Sequence, residues 1–266
     1  DYDNDGCLDL FLFAESYNAP DTLLRSNCDG SFSDVTAAAE IVDQQTYEDC
    51  GDPANTASPT AAAAWVDLDA DGYLDLYLAN FICWDQETYY IDTAFMNDGD
   101  GTFTEVTGQN GFLNLRTPSR GVAPVDHDGD GDVDIFVNMY RLKQNRFFDN
   151  LGDGTVAEAG VATGLAGDKD GFYYGHTIGA AWGDLDNDGD FDNVSANLAH
   201  PRFFDFSDKT QILLNDGSGH YSDNAGDWTY PASAAGLRYQ ETHSVPVLAD
   251  VDQDGVLDLA ITAVYP

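Results

Sequence analysis

The amino-acid sequence predicts an all-β fold built from repeated four-stranded antiparallel sheets. Three observations predict it. A nine-residue acidic loop occurs five times, its starts fall 66, 59, 58 and 66 residues apart, and the same short β-rich segments recur in order between the copies. A period of about 60 residues holding four short strands describes one blade of a β-propeller. No segment shows convincing helical periodicity.

The elements of one repeat follow in order. An apolar first strand enters the loop, as in Ala61 to Val66, Gly121 to Val125, Ile178 to Gly183 and Val245 to Ala249. A second strand leaves it, as in Leu8 to Phe13, Leu74 to Leu78, Val133 to Val137 and Leu257 to Ile261. After a variable connection comes a third strand: Thr22 to Arg25, Thr93 to Met96, Arg146 to Asp149 and Gln211 to Leu214. A glycine turn, such as Gly99-Asp-Gly101 or Gly217-Ser-Gly219, then leads into a short fourth strand. Asp-Gly turns between β-branched and aromatic runs are hairpin signals. Strands apolar on both faces suit sheets packed on each side. Repeats are expected at about 1–60, 61–119, 120–175, 176–242 and 243–266, the first and last incomplete, within one propeller domain or a segment of one. The last Asp of repeat 4 is followed by Asn193 rather than by an aliphatic residue, so an irregular second strand is expected there.

The loop itself has the form D-x-D-x-D-G-x-x-D. Its copies place Asp1, Asp3, Asp5 and Asp9 in the first repeat, and Asp67, Asp69, Asp71 and Asp75 in the second. The third holds Asp126, Asp128, Asp130, Asp132 and Asp134, the fourth Asp184, Asp186, Asp188, Asp190 and Asp192, and the fifth Asp250, Asp252, Asp254 and Asp258. Carboxylates at positions 1, 3, 5 and 9 can converge on one hard cation, and the glycine at position 6 permits the bend around it. The position 7 residues Cys7, Tyr73, Asp132, Asp190 and Val256 can each add a backbone carbonyl. Calcium takes six to eight oxygens at flexible geometry and is favoured over magnesium, giving up to five Ca²⁺ sites. An EF-hand would need Glu at position 12, where this chain has Leu12, Leu78, Val137, Ser195 and Ile261.

Composition narrows the setting. Net charge is −38, from 48 acidic against 10 basic residues, and 43% of the chain is hydrophobic. That is enough apolar material for a core. The charge disfavours nucleic acid and anionic membranes as partners, and no apolar run reaches the roughly 18 residues of a membrane span. Weak calcium sites suit a calcium-rich medium, so the expected location is secreted, cell-surface or periplasmic. Four cysteines, Cys7, Cys28, Cys50 and Cys83, fall in the first third. An even count suggests two disulfides; a zinc site or reduced thiols are the alternatives.

Gly121-Val-Ala-Pro124 followed by an acidic loop resembles the FG-GAP/VCBS repeats of integrin α-subunit propellers. Ala180-Ala-Trp182-Gly-Asp184-Leu-Asp-Asn-Asp-Gly189-Asp and Asn97-Asp-Gly-Asp-Gly101-Thr-Phe-Thr-Glu-Val-Thr107 resemble, more closely still, the cartilage-acidic-protein-like (ASPIC/UnbV) family. The strand plan gives 17 strands, one more than four closed blades need, so part of a larger propeller is expected, seven-bladed by analogy with integrins; a closed four-bladed ring with a strand exchanged between its ends is the alternative. The resemblance leaves function open, because the fold serves adhesion, carbohydrate binding and enzymes.

Up-down topology puts the calcium loops and glycine turns on one face and the variable connections on the other. It makes Cys7–Cys28 and Cys50–Cys83 the natural pairs. Long segments on the variable face, including 37–60 and the loop with Trp84, are candidates for binding. His176, His200 and His243 fall there, and with Tyr173, Tyr174, Arg202 and Glu241 they are candidates to line a ligand pocket. Replacing the three histidines is expected to leave the fold intact. Arg116, Arg120 and Arg141 are too sparse for a phosphate site. The sequon Asn193-Val-Ser195 falls in an expected strand. The expected function is a calcium-stabilised adhesion or recognition module for a protein or glycan. The alternative is a polysaccharide lyase or hydrolase working from an axial pocket on the variable face; no catalytic motif is present to support it.

Overall fold

The computed structural model describes residues 1–15, 19–41, 57–83, 87–167, 173–198, 200–201, 207–222, 236–237 and 242–264. The chain forms two compact units, residues 1–119 with 150–157, and 120–149 with 158–266. The boundary at 119/120 coincides with the expected start of the third repeat.

In the first unit, strands β1 (Leu10–Leu12), β2 (Thr22–Ser26) and β3 (Phe32–Asp34) make a three-stranded sheet in that order. Strands β4 (Thr60–Val66) and β5 (Asp75–Asn80) are followed by a small hairpin of β6 (Ile82–Cys83) and β7 (Thr88–Tyr89), then by β8 (Thr93–Asn97) and β9 (Phe103–Glu105). The sheet order is β4-β5-β8-β9, with the hairpin set apart. The second unit begins the next sheet with β10 (Ser119–Val125), β11 (Asp134–Met139) and β12 (Arg146–Asn150); β13 (Val156–Glu158) completes the order β10-β11-β12-β13. A one-turn helix, α1 (Gly160–Thr163), precedes β14 (Thr177–Gly183), β15 (Asp192–Asn197), β16 (Gln211–Asn215) and β17 (Tyr221–Ser222), which pair in sequence order. Strands β18 (His243–Ala249) and β19 (Asp258–Ala263) form a two-stranded sheet. The expected strand plan is therefore present in every repeat; the β6–β7 hairpin and α1 are additions that the sequence pattern did not indicate.

Repeat 4 corrects one expectation. Strand β15 is regular, in continuous register with β14 from Gly179↔Ala196 to Gly183↔Asp192. The ladder is made by backbone groups, so it forms whatever side chain follows the last Asp; the buried Asn193 Oδ1 accepts the Ser195 hydroxyl at 2.6 Å, while its Nδ2 has no partner among the described residues.

Each unit has a core between successive sheets, and the two cores follow one plan. In the first, Leu23, Leu76, Leu78, Phe95 and Phe103 are buried with Tyr2, and Phe11 and Trp65 pack against them. Tyr2 stacks on Phe103 at 5.8 Å, Trp65 lies 6.1 Å from Phe103, and Phe11 meets Trp65 edge-on. In the second, His127 takes the place of Tyr2, Tyr221 of Phe103, Trp182 of Trp65 and Phe136 of Phe11. Burying such aromatics on facing sheets supplies the main apolar driving force of the interface.

Hydrogen bonds join neighbouring sheets at both ends. At the acidic end, the Asn97 amide donates to the carbonyls of Tyr2 (2.8 Å) and Leu74 (3.1 Å). The Asn215 amide donates likewise to His127 (3.0 Å) and Phe191 (3.4 Å). At the opposite end, Asp21 accepts from the Ala14 N–H (2.8 Å) and the Thr60 hydroxyl (2.6 Å). Asp92 accepts from the Asn80 N–H (2.8 Å), the Tyr77 hydroxyl (2.9 Å) and the Ser119 hydroxyl (2.7 Å).

Candidate metal centres and the opposite face

All five acidic loops share one hydrogen-bond frame. The position 1 carboxylate accepts the position 6 N–H: Asp1 from Gly6, Asp67 from Gly72, Asp126 from Gly131, Asp184 from Gly189 and Asp250 from Gly255, at 2.9–3.2 Å. The position 5 carboxylates of Asp5, Asp71, Asp130, Asp188 and Asp254 accept the N–H of Cys7, Tyr73, Asp132, Asp190 and Val256. The position 9 carboxylates of Asp9, Asp75, Asp134, Asp192 and Asp258 accept the position 2 N–H at 2.7–3.0 Å. The glycine at position 6 has φ between +89° and +103° in every copy, a region that costs glycine nothing. Position 4 is also left-handed, in Asn4, Ala70, Gly129, Asn187 and Gln253. The sequence pattern missed this requirement, because the residue type there varies.

Position 9 serves the fold as well as the loop. Its second oxygen accepts the N–H at the end of the third strand: Ser26 to Asp9, Asn97 to Asp75 and Asn215 to Asp192, at 2.7–2.9 Å. Asp75, Asp134 and Asp192 are buried. Burial raises the Asp75 carboxyl to about 7 against the pull of the Asn97 and Leu68 N–H groups, and it raises Asp192 as well. Asp69 and Asp186 are also raised, by desolvation and then by the charges of Asp71 and Asp188.

Carboxylate oxygens gather within 4.8 Å of one another in the first three loops: Asp1, Asp3 and Asp5 in one, Asp67, Asp69 and Asp71 in the next, and Asp126, Asp128 and Asp134 in the third. One oxygen each of Asp1 and Asp67 is buried without a hydrogen-bond partner. A buried anionic oxygen in that state is costly unless a cation meets it. The clusters can therefore hold metal ions. Asp3, Asp69 and Asp128 also accept the position 5 N–H, whereas in loops 4 and 5 Asp184 and Asp250 do so. Asp252 is exposed in its loop.

In repeats 1, 2 and 4 the position 7 side chain faces the third-to-fourth strand turn of its own repeat. A Cβ on Gly99 would lie 3.2 Å from the Tyr73 ring, and one on Gly217 would lie 3.1 Å from the Asp190 carboxylate. In repeat 1 the turn residue at this place is Cys28, at φ 60°, and it is disulfide-bonded to Cys7 as expected. Cys83 is disulfide-bonded too; its expected partner, Cys50, lies outside the described residues.

On the opposite face, His176 and His200 come together, with rings 6.5 Å apart. Tyr140 joins them: its ring meets His176 edge-on at 4.7 Å and its hydroxyl lies 3.1 Å from His200 Nε2. Tyr140 opens the connection after β11 and carried no sequence signal. His176 and His243 are buried, beside the hydroxyls of Ser207 (3.2 Å) and Thr210 (2.9 Å). That burial corrects the expectation that removing all three histidines leaves the fold intact. Tyr173 is half exposed, and the Tyr174 N–H donates to the Leu142 carbonyl. Arg202, Glu241 and Trp84 lie outside the described residues, as does most of the 37–60 segment. Among the described residues no helix is long and apolar enough to cross a membrane.

Comparison with known proteins matches this plan of loop and strands. Cartilage acidic protein 1 of Xenopus tropicalis is 26% identical over 168 residues, 63% of this chain and 24% of that protein. The chain thus spans about a quarter of that relative's length. A solved structure described as specific recognition of non-reducing terminal N-acetylglucosamine by an Agrocybe aegerita lectin aligns over 96% of this chain and 60% of that one, at 17% identity and a TM-score of 0.47. A profile described as FG-GAP-like repeat matches residues 1–78, 67–137 and 126–195, each match running from one acidic loop through the next. With the loop-and-strand unit recurring across those three matches, the chain belongs to the FG-GAP-like repeat family.

Proposed function

We propose that the chain is a calcium-stabilised propeller segment that acts outside the cytoplasm as a recognition module for a protein or glycan. The observation that carries the calcium reading is the buried, unpartnered oxygen of Asp67, set in a cluster with Asp69 and Asp71 and repeated at Asp1. The donors are all hard oxygens in a loop already bent into shape, which suits calcium better than a small ion that keeps its waters. Positions 1, 3, 5 and 9 and the position 7 carbonyl would hold the ion. The ion relieves repulsion among carboxylates that the fold forces together, so it acts on stability rather than on chemistry. The Cys7–Cys28 disulfide supports an oxidising location. Recognition falls to the opposite face, where the connections differ between repeats and Tyr140, His176 and His200 group together.

Thermal melting tests the calcium reading. EGTA should lower Tm substantially, with recovery on adding Ca²⁺ and little recovery with Mg²⁺. An unchanged melting curve after verified metal removal would reject it. Glycan and protein arrays probed with the calcium-loaded chain, alongside His200→Ala, test the recognition face.

A further inference from the structure

We propose that repeat 3 carries a second metal site, for a divalent transition metal of the zinc type, formed by His127, Asp134 and Asp149. Ligand atoms of these three residues lie within 4.8 Å of one another, and His127 and Asp134 are buried. The same Asp134 also belongs to the acidic cluster with Asp126 and Asp128. Its carboxylate therefore stands between the loop and the histidine.

The other repeats provide an internal control. Position 2 of the loop is Tyr2, Leu68, Leu185 or Val251 elsewhere, and only repeat 3 has histidine there. Continuing the strand registers, the residue across from the position 9 Asp is Arg25 in repeat 1, Met96 in repeat 2 and Leu214 in repeat 4, but Asp149 in repeat 3. Repeat 3 departs from the shared plan at two positions, and the two departures meet at one point. If the aromatic core were the sole demand on position 2, a tyrosine as in repeat 1 would meet it without placing a ligand nitrogen beside two carboxylates.

The ring is also held in the orientation a ligand needs. A Cβ at Gly219 would stand 2.9 Å from His127 Nε2, so glycine there lets the imidazole edge seat against backbone. Phe147 packs on the ring edge-on at 4.6 Å. Nδ1 is left facing Asp134 Oδ2 at 2.7 Å. Two donors on one tetrahedral ion at about 2.0 Å stand roughly 3.3 Å apart, so Nδ1 and Oδ2 must part by roughly half an ångström. The metal takes the place of the proton now between them, and a borderline nitrogen with two carboxylates matches zinc-type ions better than calcium. The competing account is a shared proton that satisfies His127 and Asp134 without any metal.

Titrating calcium-saturated protein with Co²⁺, with metal counting and visible absorption on the same samples, separates the two accounts. About one Co²⁺ per chain should bind with a ligand-field spectrum while the calcium count stays constant. His127→Leu and Asp149→Leu, which install residues that other repeats carry at these places, should each weaken Co²⁺ binding about 100-fold or more and leave the calcium count unchanged. Asp149→Asn repeats the test with volume preserved should a leucine variant fold poorly. Absence of Co²⁺ binding, binding unchanged in the variants, or loss of one calcium in step with Co²⁺ uptake would each overturn the proposal.

Discussion

The acidic ends of the sheets and their opposite ends are built on different principles. At the acidic end, five loops share one frame, down to the same N–H reaching the same carboxylate. At the opposite end, each repeat has its own connection: Asp21 and Thr60 in one, Asp92 with Tyr77 and Ser119 in the next, and a histidine–tyrosine group in repeats 3 and 4. A frame repeated in every copy serves something every repeat needs, namely order in a crowded set of carboxylates. A connection free to vary on a fixed scaffold is where specificity can reside.

The largest effects should separate residues within one acidic loop. Asp75 accepts two backbone N–H groups in a buried place, so Asp75→Ala should destabilise by roughly 2–5 kcal/mol with or without calcium. Asp71 is exposed and its frame bond is the single one from the Tyr73 N–H, so Asp71→Ala should lower stability far more with calcium present than without. Urea unfolding in EGTA and in Ca²⁺ reads both, and equal behaviour of the two variants would erase the distinction between frame and ligand.

Breaking the inter-sheet ties comes next. Asn215→Ala leaves the carbonyls of His127 and Phe191 without the amide that bridges them, at a cost of about 1–3 kcal/mol. Hydrogen exchange should speed up in loops 3 and 4 first. On the opposite face, His243→Ala and His176→Ala should each cost about 1 kcal/mol, since both rings are buried beside hydroxyls. His200→Ala, at a less buried position, should leave Tm nearly unchanged while weakening any ligand that an array returns.

Acidity sharpens the comparison further. In calcium-free protein the folded Asp75 carboxyl sits at about 7 against an ordinary 3.8. Between those values the folded state holds a proton that the unfolded state has lost. Stability of the calcium-free form should therefore fall as pH rises from about 4 to about 7 and level off above. A calcium-free stability that rises across this window would contradict the assignment. The smallest effect is local: Ala70 holds a left-handed conformation, so Ala70→Gly should stabilise by up to about 1 kcal/mol.

Much of this architecture was legible in the sequence because its causes are short-ranged. Four fixed Asp positions and one glycine define a loop, and the short apolar and β-rich runs around it define the strands. The Cys7–Cys28 bond followed from loop and turn sharing one end of a sheet. What escaped was set by packing between repeats. The bridging role of Asn97 and Asn215 depends on the neighbouring sheet's carbonyl that is placed beside each. Tyr140 has no motif, and its role depends on where His176 and His200 arrive. Asn193 looked disruptive because its polarity was weighed without the backbone ladder, which forms whatever the side chain, and without the Ser195 hydroxyl that meets its Oδ1. His127 was overlooked because position 2 is variable, although its departure from the other four copies was itself a signal.

The central claim is that each acidic loop is a separate calcium site that stabilises its own repeat. Equilibrium calcium counting on Asp186→Ala/Asp188→Ala against the unaltered chain tests it most directly. The account predicts a loss of about one calcium per chain, with hydrogen exchange loosened around β14 and β15 and the first unit unaffected. An unchanged calcium count, or loss of every ion at once, would contradict it.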